Sequence, residues 1–479
     1  MKAWHESLSP LKKSNADRRR IIKDMSVLFG TDGIRGKVGV YPLTEEMVYQ
    51  IGRSAATYVK KANPHKRKSQ HISIAKDTRV SGGMFEDQLI KGITSCGVDV
   101  IKLGVMTTPC AAFLAKKLNH DMGIVISASH NDVDDNGLKF FTHKGYKLSP
   151  KEELEIELLI SSDDSAPTVD EDCLIGKVKD EPNPTAAYMD LLREIIKDSD
   201  LSSYKIGADC AYGAISYLVP QTAKELSIDI RSINNKPTGE NINQECGSLH
   251  PNVISEYVVE EGLDCGFAFD GDGDRVILSD EKGQILDGDF ILAIISKYLS
   301  EKNLLTKNSI VTTQMSNLGL EMAISQWGGR LIKTDVGDKY VLEKMLKAKL
   351  NLGGEQSGHV ILLHHTTTGD GLLTALFILK IMAETGKTLS QLSRAMYKFP
   401  QILLNIDVAS KKPIEELTKT KKAIEKNEKK LGSKGRLYIR YSGTENKLRI
   451  MVEGQNSLEI KDVAEDIAKT AREELECLN

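Results

Sequence analysis

Short apolar, β-branched runs alternate with stretches of helical spacing over most of the chain. Strands are predicted at His71–Ala75, Val98–Leu103, Gly123–Ile126, Lys205–Ala208, Gly266–Phe269, Val276–Leu278, Ser309–Thr312 and Arg330–Lys333. Helices are predicted between them, as at Glu46–Lys61, Glu86–Ser95 and Gly319–Gln326. Such alternation predicts an α/β fold with largely parallel or mixed sheets. Sheets of this kind carry their working loops at the carboxyl ends of the strands.

Two joints interrupt the alternation. Ser161–Pro184 is rich in Asp, Ser and Pro. Phe399-Pro400-Gln401 follows a long helical segment, Gly371–Thr385, and opens a strand, Ile402–Val408. Residues 399–479 read as a small α+β unit. It ends in an amphipathic helix with Ile460, Val463, Ala464, Ile467, Ala468, Ala471 and Leu475 on one face. A chain of 479 residues exceeds a single core, and three similar α/β units followed by a distinct fourth are expected.

Composition narrows the function classes. Lys and Arg (64) nearly balance Asp and Glu (67), which argues against bulk attraction to nucleic acid or an anionic membrane surface. A local basic pocket for a small anion stays open. No apolar run approaches the ~20 residues that span a bilayer. Residues 1–25 are polar and basic, with Lys12, Lys13 and Arg18-Arg19-Arg20, and lack the apolar core of a secretion signal. They read as a solvated extension, or as a docking or targeting segment. The seven cysteines are scattered with no CxxC pair, so neither a disulfide framework nor a zinc ribbon is expected. A reducing, cytoplasmic setting fits best.

Four loops carry candidate chemistry. The apolar run Gly123–Ile126 leads into Ser127-Ala128-Ser129-His130-Asn131, a small polar turn able to project a hydroxyl. Asn136-Gly137 predicts a second tight turn, and Lys139 follows. A serine can carry a phosphoryl group covalently if a cation offsets charge and a base takes its proton. His130 and Lys139 are the candidates for those two needs. The alternative is that Ser129 caps a helix or closes a turn.

The second loop, Asp270-Gly271-Asp272-Gly273-Asp274-Arg275, alternates carboxylates with small residues, so the three can converge on Mg²⁺ or Ca²⁺. Asp270, Asp272, Asp274 and Glu281 also match an EF-hand at loop positions 1, 3, 5 and 12, but Arg275 stands where that loop needs glycine. A plain acidic turn is the remaining reading. Arg275 itself could hold a phosphate oxygen.

In the third loop, Glu355, Ser357 and His359 of Gly353–His359 can bond neighbouring sugar hydroxyls, unless the loop is an ordinary connection. In the fourth, Arg440-Tyr441-Ser442-Gly443-Thr444 with Arg449 offers backbone N–H groups, hydroxyls and two guanidinium groups to an anion. A hairpin with solvated charges is the alternative. Thr385-Gly386-Lys387-Thr388 imitates the end of a P-loop, but Ile381 stands where that motif needs glycine, so ATP binding is discounted.

In this order the motifs resemble the α-D-phosphohexomutase superfamily from Leu28 to the C-terminal helix. The matching segments are LFGTDGIRG (28–36), AKDTRVSG (75–82), GIVISASHN (123–131), FDGDGDR (269–275), GGEQSGH (353–359) and RYSGTENKLRIMVEG (440–454). The FGTDGIRG start, Gln356 and the TTTGDG run at 366–371 are similar to the branch that handles hexosamine phosphates. Mannose- and glucose-phosphate relatives typically have methionine where Gln356 stands. Those activities, and a non-catalytic sugar-phosphate sensor, are the alternatives.

The resemblance implies four domains around a central cleft. They are an extension at 1–25, then 26–183 with the phosphoserine loop, 184–283 with the metal loop, 284–398 with the sugar loop and 399–479 with the phosphate loop. The last domain would hinge near Phe399–Gln401. The implied nucleophile is Ser129, with Arg35, His130, Lys139 and Arg275 around it. Asp270, Asp272, Asp274 and a Ser129 phosphoryl oxygen would hold Mg²⁺. Glu355 and Ser357 would meet the sugar, and Arg440, Ser442, Gly443, Thr444 and Arg449 its non-reacting phosphate. The implied reaction interconverts glucosamine 6-phosphate and glucosamine 1-phosphate, with glucosamine or glucose 1,6-bisphosphate as activator, feeding UDP-N-acetylglucosamine and cell-wall synthesis. The expected partner is a hexosamine phosphate, and the expected state a cytoplasmic monomer or homodimer. Asp132, Asn446 and Lys339 depart from the superfamily pattern, which usually has proline at the first two and arginine at the third. None removes a ligating group.

Overall fold

A computed structural model describes residues 28–62, 70–161, 175–442 and 446–475. They divide into two compact units. One is drawn from Met1–Glu194, Ala208–His250 and Phe269–Asp274, the other from Ile195–Gly207, Pro251–Ala268 and Arg275–Asn479.

The first unit is built on six strands: β1 (Ile34–Lys37), β2 (His71–Lys76), β3 (Asp99–Val105), β4 (Met122–Ile126), β5 (Asp135–Thr142) and β6 (Val178–Asp180). Their order is β1-β5-β4-β2-β3-β6. β2 runs parallel to β3 and β4, and β5 antiparallel to β4 and β1, so the sheet is mixed as expected. Every residue of β4 is buried, which is why its sequence is a continuous apolar run rather than an alternation. Ile72, Ile74, Ile124 and Ile126 share a core with Val48, Ile51 and Ala55 of helix Glu45–Ala62 and with Leu89 and Ile93 of helix Gly82–Thr94.

Two local readings are corrected. Asn136-Gly137 does not turn. Both residues lie inside β5, where Asn136 pairs with Gly36 and Gly137 with Arg35, and the turn sits earlier, between Ser129 and Asp134. Strand pairing overrides the dipeptide's turn preference. The joint at Ser161–Pro184 contains a strand, β6, parallel to β3. Residues 162–174 of that joint lie outside the described residues, as does the expected extension at 1–25.

The chain passes from one unit to the other within β7 (Lys205–Asp209) and within β9 (Cys265–Phe269), while β8 (Asp229–Ile233) belongs to the first unit and β10 (Val276–Asp280) and β11 (Ile285–Leu286) to the second. Within the second unit, β12 (Ser309–Thr313), β13 (Arg330–Thr334), β14 (Leu352–Gly354) and β15 (Val360–Leu362) form a mixed sheet in the order β13-β12-β14-β15. The helix Gly371–Thr385, apolar nearly all round, is buried almost throughout. It ends at Gly386, whose left-handed φ of 62° closes the helix, so the P-loop imitation is a helix terminus.

β16 (Gln401–Asp407), β17 (Gly435–Tyr441) and β18 (Lys447–Gly454) form an antiparallel sheet in the order β16-β18-β17. The apolar face of the last helix, Ser457–Glu474, covers it, with Ile460, Val463, Ile467 and Ala471 buried against Ile450 and Val452. Among the described residues no helix is long and apolar enough to cross a membrane.

Candidate active site

β4 is buried along its whole length, so its last peptide delivers the chain to the end of the sheet with nowhere to go but a turn. Ser129 makes that turn with φ at 56°, a left-handed conformation that costs a non-glycine residue ~1–3 kcal/mol. The surroundings hold it there. Its N–H donates to Ser127 Oγ at 2.9 Å, and its carbonyl accepts from Asn243 Nδ2 at 2.9 Å and Arg79 Nη2 at 3.2 Å. Arg79 also reaches the carbonyls of Asn131, at 2.7 Å, and of Asp132. Its side chain is fully buried and balanced by Asp77, whose Oδ2 accepts from Arg79 Nε at 3.0 Å and from Ser127 Oγ at 2.6 Å. Burial pushes Asp77 up, while Arg79 and Ser127 pull the other way.

The held hydroxyl meets the aspartate loop. Ser129 Oγ donates to Asp270 Oδ2 at 2.6 Å and lies 3.2 Å from His130 Nδ1. The loop comes this close because residue 271 is glycine, since a Cβ there would stand 2.6 Å from the Ser129 carbonyl oxygen. Asp270, Asp272 and Asp274 are all buried, and one carboxylate oxygen from each falls within 4.8 Å of the others. Asp272 Oδ1 is buried and has no hydrogen-bond donor among the described residues. Converging hard oxygens, one lacking a donor, fit a divalent cation. The flanks are strands, β9 and β10, and Glu281 accepts from the Ser390 N–H at 3.1 Å, so the EF-hand reading is set aside.

Lys139 completes the cluster from β5. Its ammonium donates to Asp272 Oδ2 at 2.6 Å and Asp274 Oδ2 at 3.3 Å, and sits 3.1 Å from Asp32. Burial alone would lower its pKa, but Asp272, Asp274 and Asp32 hold it well above the usual lysine range. The Lys139 side chain thus sits among three carboxylates. For Asp32, burial works upward, yet Lys139, Lys147 and Arg35 hold it well below the usual carboxylate range. Arg35 is tied to this group through Asp32.

Sequence reasoning missed Asp32, Asp77, Arg79, Thr108 and Asn243. Thr108, fully buried, donates its Oγ1 to Asp272 Oδ2 and its N–H to the Asp272 carbonyl. The segment AKDTRVSG carried Asp77 and Arg79 in plain view, but no local pattern says what a lone arginine will bond. Thr108 and Asn243 lie in stretches with no signal at all.

The second unit carries the other candidates. Glu355 Oε1 accepts from the Gly337 N–H at 3.2 Å. Burial pushes Glu355 up, with His359 and Arg275 acting in the opposite sense and Asp338 with it. Ser357 Oγ is shielded and has no hydrogen-bond partner among the described residues. His359 ends the same loop. It is 2% exposed, and its Nε2 is 3.3 Å from Asp338 and accepts from the Gly369 N–H at 3.2 Å. Its Nδ1 is buried and has no hydrogen-bond partner among the described residues.

Arg440 and Arg449 face each other directly across β17 and β18. Like charges opposite one another in a sheet repel, so the pair favours an anion between them. Ser442 is buried at the end of β17, its N–H bonded to the Lys447 carbonyl at 2.8 Å. Gly443 and Thr444 lie outside the described residues.

Sequence profiles of the phosphoglucomutase/phosphomannomutase family match along the chain. The three alpha/beta/alpha domains match residues 26–167, 186–283 and 287–399, and the C-terminal domain matches 403–470. The chain is similar to the phosphoglucosamine mutase of Citrifermentans bemidjiense, with 47% identity over 94% of this chain and 99% of that one. It is also similar to that of Geobacter metallireducens, with 48% identity over 93% and 98%. Among solved structures, a phosphoglucomutase/phosphomannomutase family protein from Burkholderia thailandensis superposes with a TM-score of 0.76 at 22% identity, covering 92% of this chain and 97% of that one. An Aspergillus fumigatus N-acetylphosphoglucosamine mutase, in complex with GlcNAc-6P and magnesium, superposes with a TM-score of 0.67 at 17% identity, covering 97% and 100%. At these identities the structural likeness speaks for the fold.

Proposed function

The chain belongs to the phosphoglucomutase/phosphomannomutase family, and from that membership we propose that it is a phosphoglucosamine mutase acting through phospho-Ser129. The observation that carries the reading is a serine held in a strained turn, its hydroxyl 2.6 Å from one of three converging buried carboxylates. The relatives of nearly equal length support the amino-sugar substrate.

In the forward direction the phosphoryl group leaves Ser129 Oγ for O1 of glucosamine 6-phosphate, and the O1 proton passes through a neighbouring base to Ser129 Oγ. The 1,6-bisphosphate turns end for end. Ser129 Oγ then takes the 6-phosphoryl group, its proton passing through His130 to the departing O6, and glucosamine 1-phosphate leaves. Asp270, Asp272 and Asp274 would hold Mg²⁺, which when bound neutralises charge on the transferring oxygens. Lys139, set among three carboxylates, and Arg35, set by Asp32, add positive charge near the serine. We assign Glu355 and Ser357 to the sugar hydroxyls, and Arg440, Ser442, Gly443, Thr444 and Arg449 to the phosphate that does not react. We also assign the chain to the cytoplasm, and glucosamine or glucose 1,6-bisphosphate as its activator.

Ser129→Ala decides the serine mechanism. Turnover should vanish while the thermal melt stays that of the parent, and intact-protein mass spectrometry should lose the species heavier by one phosphoryl group. Near-parental activity in that variant sinks the reading. Comparing kcat/KM for glucosamine, glucose and mannose 6-phosphates decides the substrate, since a preference for either neutral sugar would overturn the amino-sugar assignment.

A further inference from the structure

A second buried polar network, outside the serine cluster, lies where the segment Tyr397–Phe399 leads into β16. Asn317 is its centre. It caps the helix Leu318–Gln326, its Oδ1 accepting from the Gly319 N–H at 2.9 Å. The same oxygen accepts from the Phe399 N–H at 2.9 Å, and Nδ2 donates to the Phe399 carbonyl at 3.0 Å and to Glu453 Oε1 at 3.2 Å. One carboxamide thus pins both backbone groups of Phe399, two residues before β16, and a side chain of β18. The segment lies so close that a Cβ on Gly319 would stand 1.8 Å from the Tyr397 carbonyl oxygen.

Glu453 is wholly buried. Its Oε2 accepts from Arg436 Nε at 3.0 Å, from Arg436 Nη2 at 2.7 Å and from the Leu318 N–H at 3.2 Å. Arg436 Nη2 also donates to the Ser316 carbonyl at 2.7 Å. Two side chains of the C-terminal sheet therefore grip three successive residues, Ser316 to Leu318, at the start of a helix that belongs to the preceding α/β segment. A cap needs only one acceptor, so an arginine–glutamate pair brought in from another sheet is more than local helix stability requires.

The register gives the pair a second meaning. Arg436 stands directly opposite Glu453, and Arg440 directly opposite Arg449, on the same two strands. The two rungs are four residues apart, which puts them on one face of the sheet at about 13 Å. The rung that grips Ser316–Leu318 and the rung assigned to the substrate's phosphate are thus parts of one rigid ladder.

We infer that Asn317, Arg436 and Glu453 are positioning residues, which set where the Arg440–Arg449 pair presents itself to the sugar phosphate. The inference deepens the proposed function and rests on it. None of the three need touch substrate. They act by fixing the end of the ladder from which the phosphate rung projects.

A double-mutant cycle tests this on the full-length protein, with glucosamine 6-phosphate and saturating glucose 1,6-bisphosphate. Asn317→Ala should raise KM about 10-fold and lower kcat less than about 3-fold, because misplacement weakens a charge-assisted contact and leaves the serine chemistry alone. Placed on top of Arg440→Ala, it should change KM less than about 2-fold, since the contact it positions is already gone. Arg436→Lys keeps the charge but cannot span Glu453 and Ser316. It should repeat the pattern in weaker form, and it carries the cycle if Asn317→Ala loses its cooperative melt. An unchanged KM in the single variants overturns the inference, as do penalties that multiply with Arg440→Ala. If the parent protein turns over no hexose phosphate, the proposed function falls and takes this inference with it. If the parent is active and only the coupling is missing, the positioning role alone is lost.

Discussion

Arg79→Lys isolates what holds the nucleophile. The arginine donates to the carbonyls of Ser129, Asn131 and Asp132 and to Asp77 from a fully buried position. Lysine preserves the charge opposite Asp77, but one ammonium cannot reach that whole set. A hydrogen bond from a charged donor contributes about 1.5–3 kcal/mol. The carbonyls of Ser129 and Asn131 keep Asn243, at 2.9 Å each, and that of Asp132 keeps the Asp135 N–H at 3.2 Å, so the restraint is weakened and not abolished. Against this, the left-handed turn at Ser129 stores about 1–3 kcal/mol that the chain recovers by relaxing to negative φ. If one such bond is lost from the turn, the competent conformer loses about 1.5–3 kcal/mol, or about 10- to 150-fold in population. That loss should appear in kcat, because a displaced hydroxyl affects transfer and not the remote contacts that bind substrate. The assay is steady-state kinetics on protein first phosphorylated with glucose 1,6-bisphosphate, with a thermal melt to show that the fold persists. A kcat within about 2-fold of the parent would refute the claim that Arg79 holds the serine turn.

Two further outcomes follow from the same geometry. Thr108→Val removes the hydroxyl that orients Asp272 while keeping the side chain's shape. It should weaken Mg²⁺ binding about 10- to 100-fold, read by calorimetric titration of the metal alone. Unchanged affinity would separate Thr108 from the metal loop. Asp289 is buried and, with Asp287 beside it, pushed up to about 7. The folded chain therefore keeps a proton that the unfolded chain releases near 4. Between those values the native state binds more protons, so stability falls as pH rises through that window. Asparagine cannot lose that proton. The melting temperature of Asp289→Asn relative to the parent should climb between pH 5 and pH 8, and a flat difference would show that Asp289 ionises normally.

The parts of the site that were legible beforehand share a physical basis. A strand buried on both faces must be apolar throughout, so Gly123–Ile126 announces itself, and the small residues after it announce a turn. Carboxylates alternating with glycine at 270–274 have few uses other than a cation. The C-terminal helix declares its buried face at the 3.6-residue period, and Ile460, Val463, Ile467 and Ala471 lie where that period puts them. All of this is written within a few residues of chain, which is the range over which spacing constrains backbone shape.

What spacing could not express is who meets whom. Thr108 reaches Asp272 across 164 positions, Asn243 reaches Ser129 across 114, and Asn317 reaches Glu453 across 136. Asn136-Gly137 reads as a turn until β1 pairs with it, and nothing near His359 in sequence says that its Nε2 will meet Asp338 and the Gly369 N–H. A polar side chain carries only the capacity to bond. The partner that uses this capacity is chosen by topology, because burial forces each donor to find an acceptor among whatever the folded chain has brought within reach.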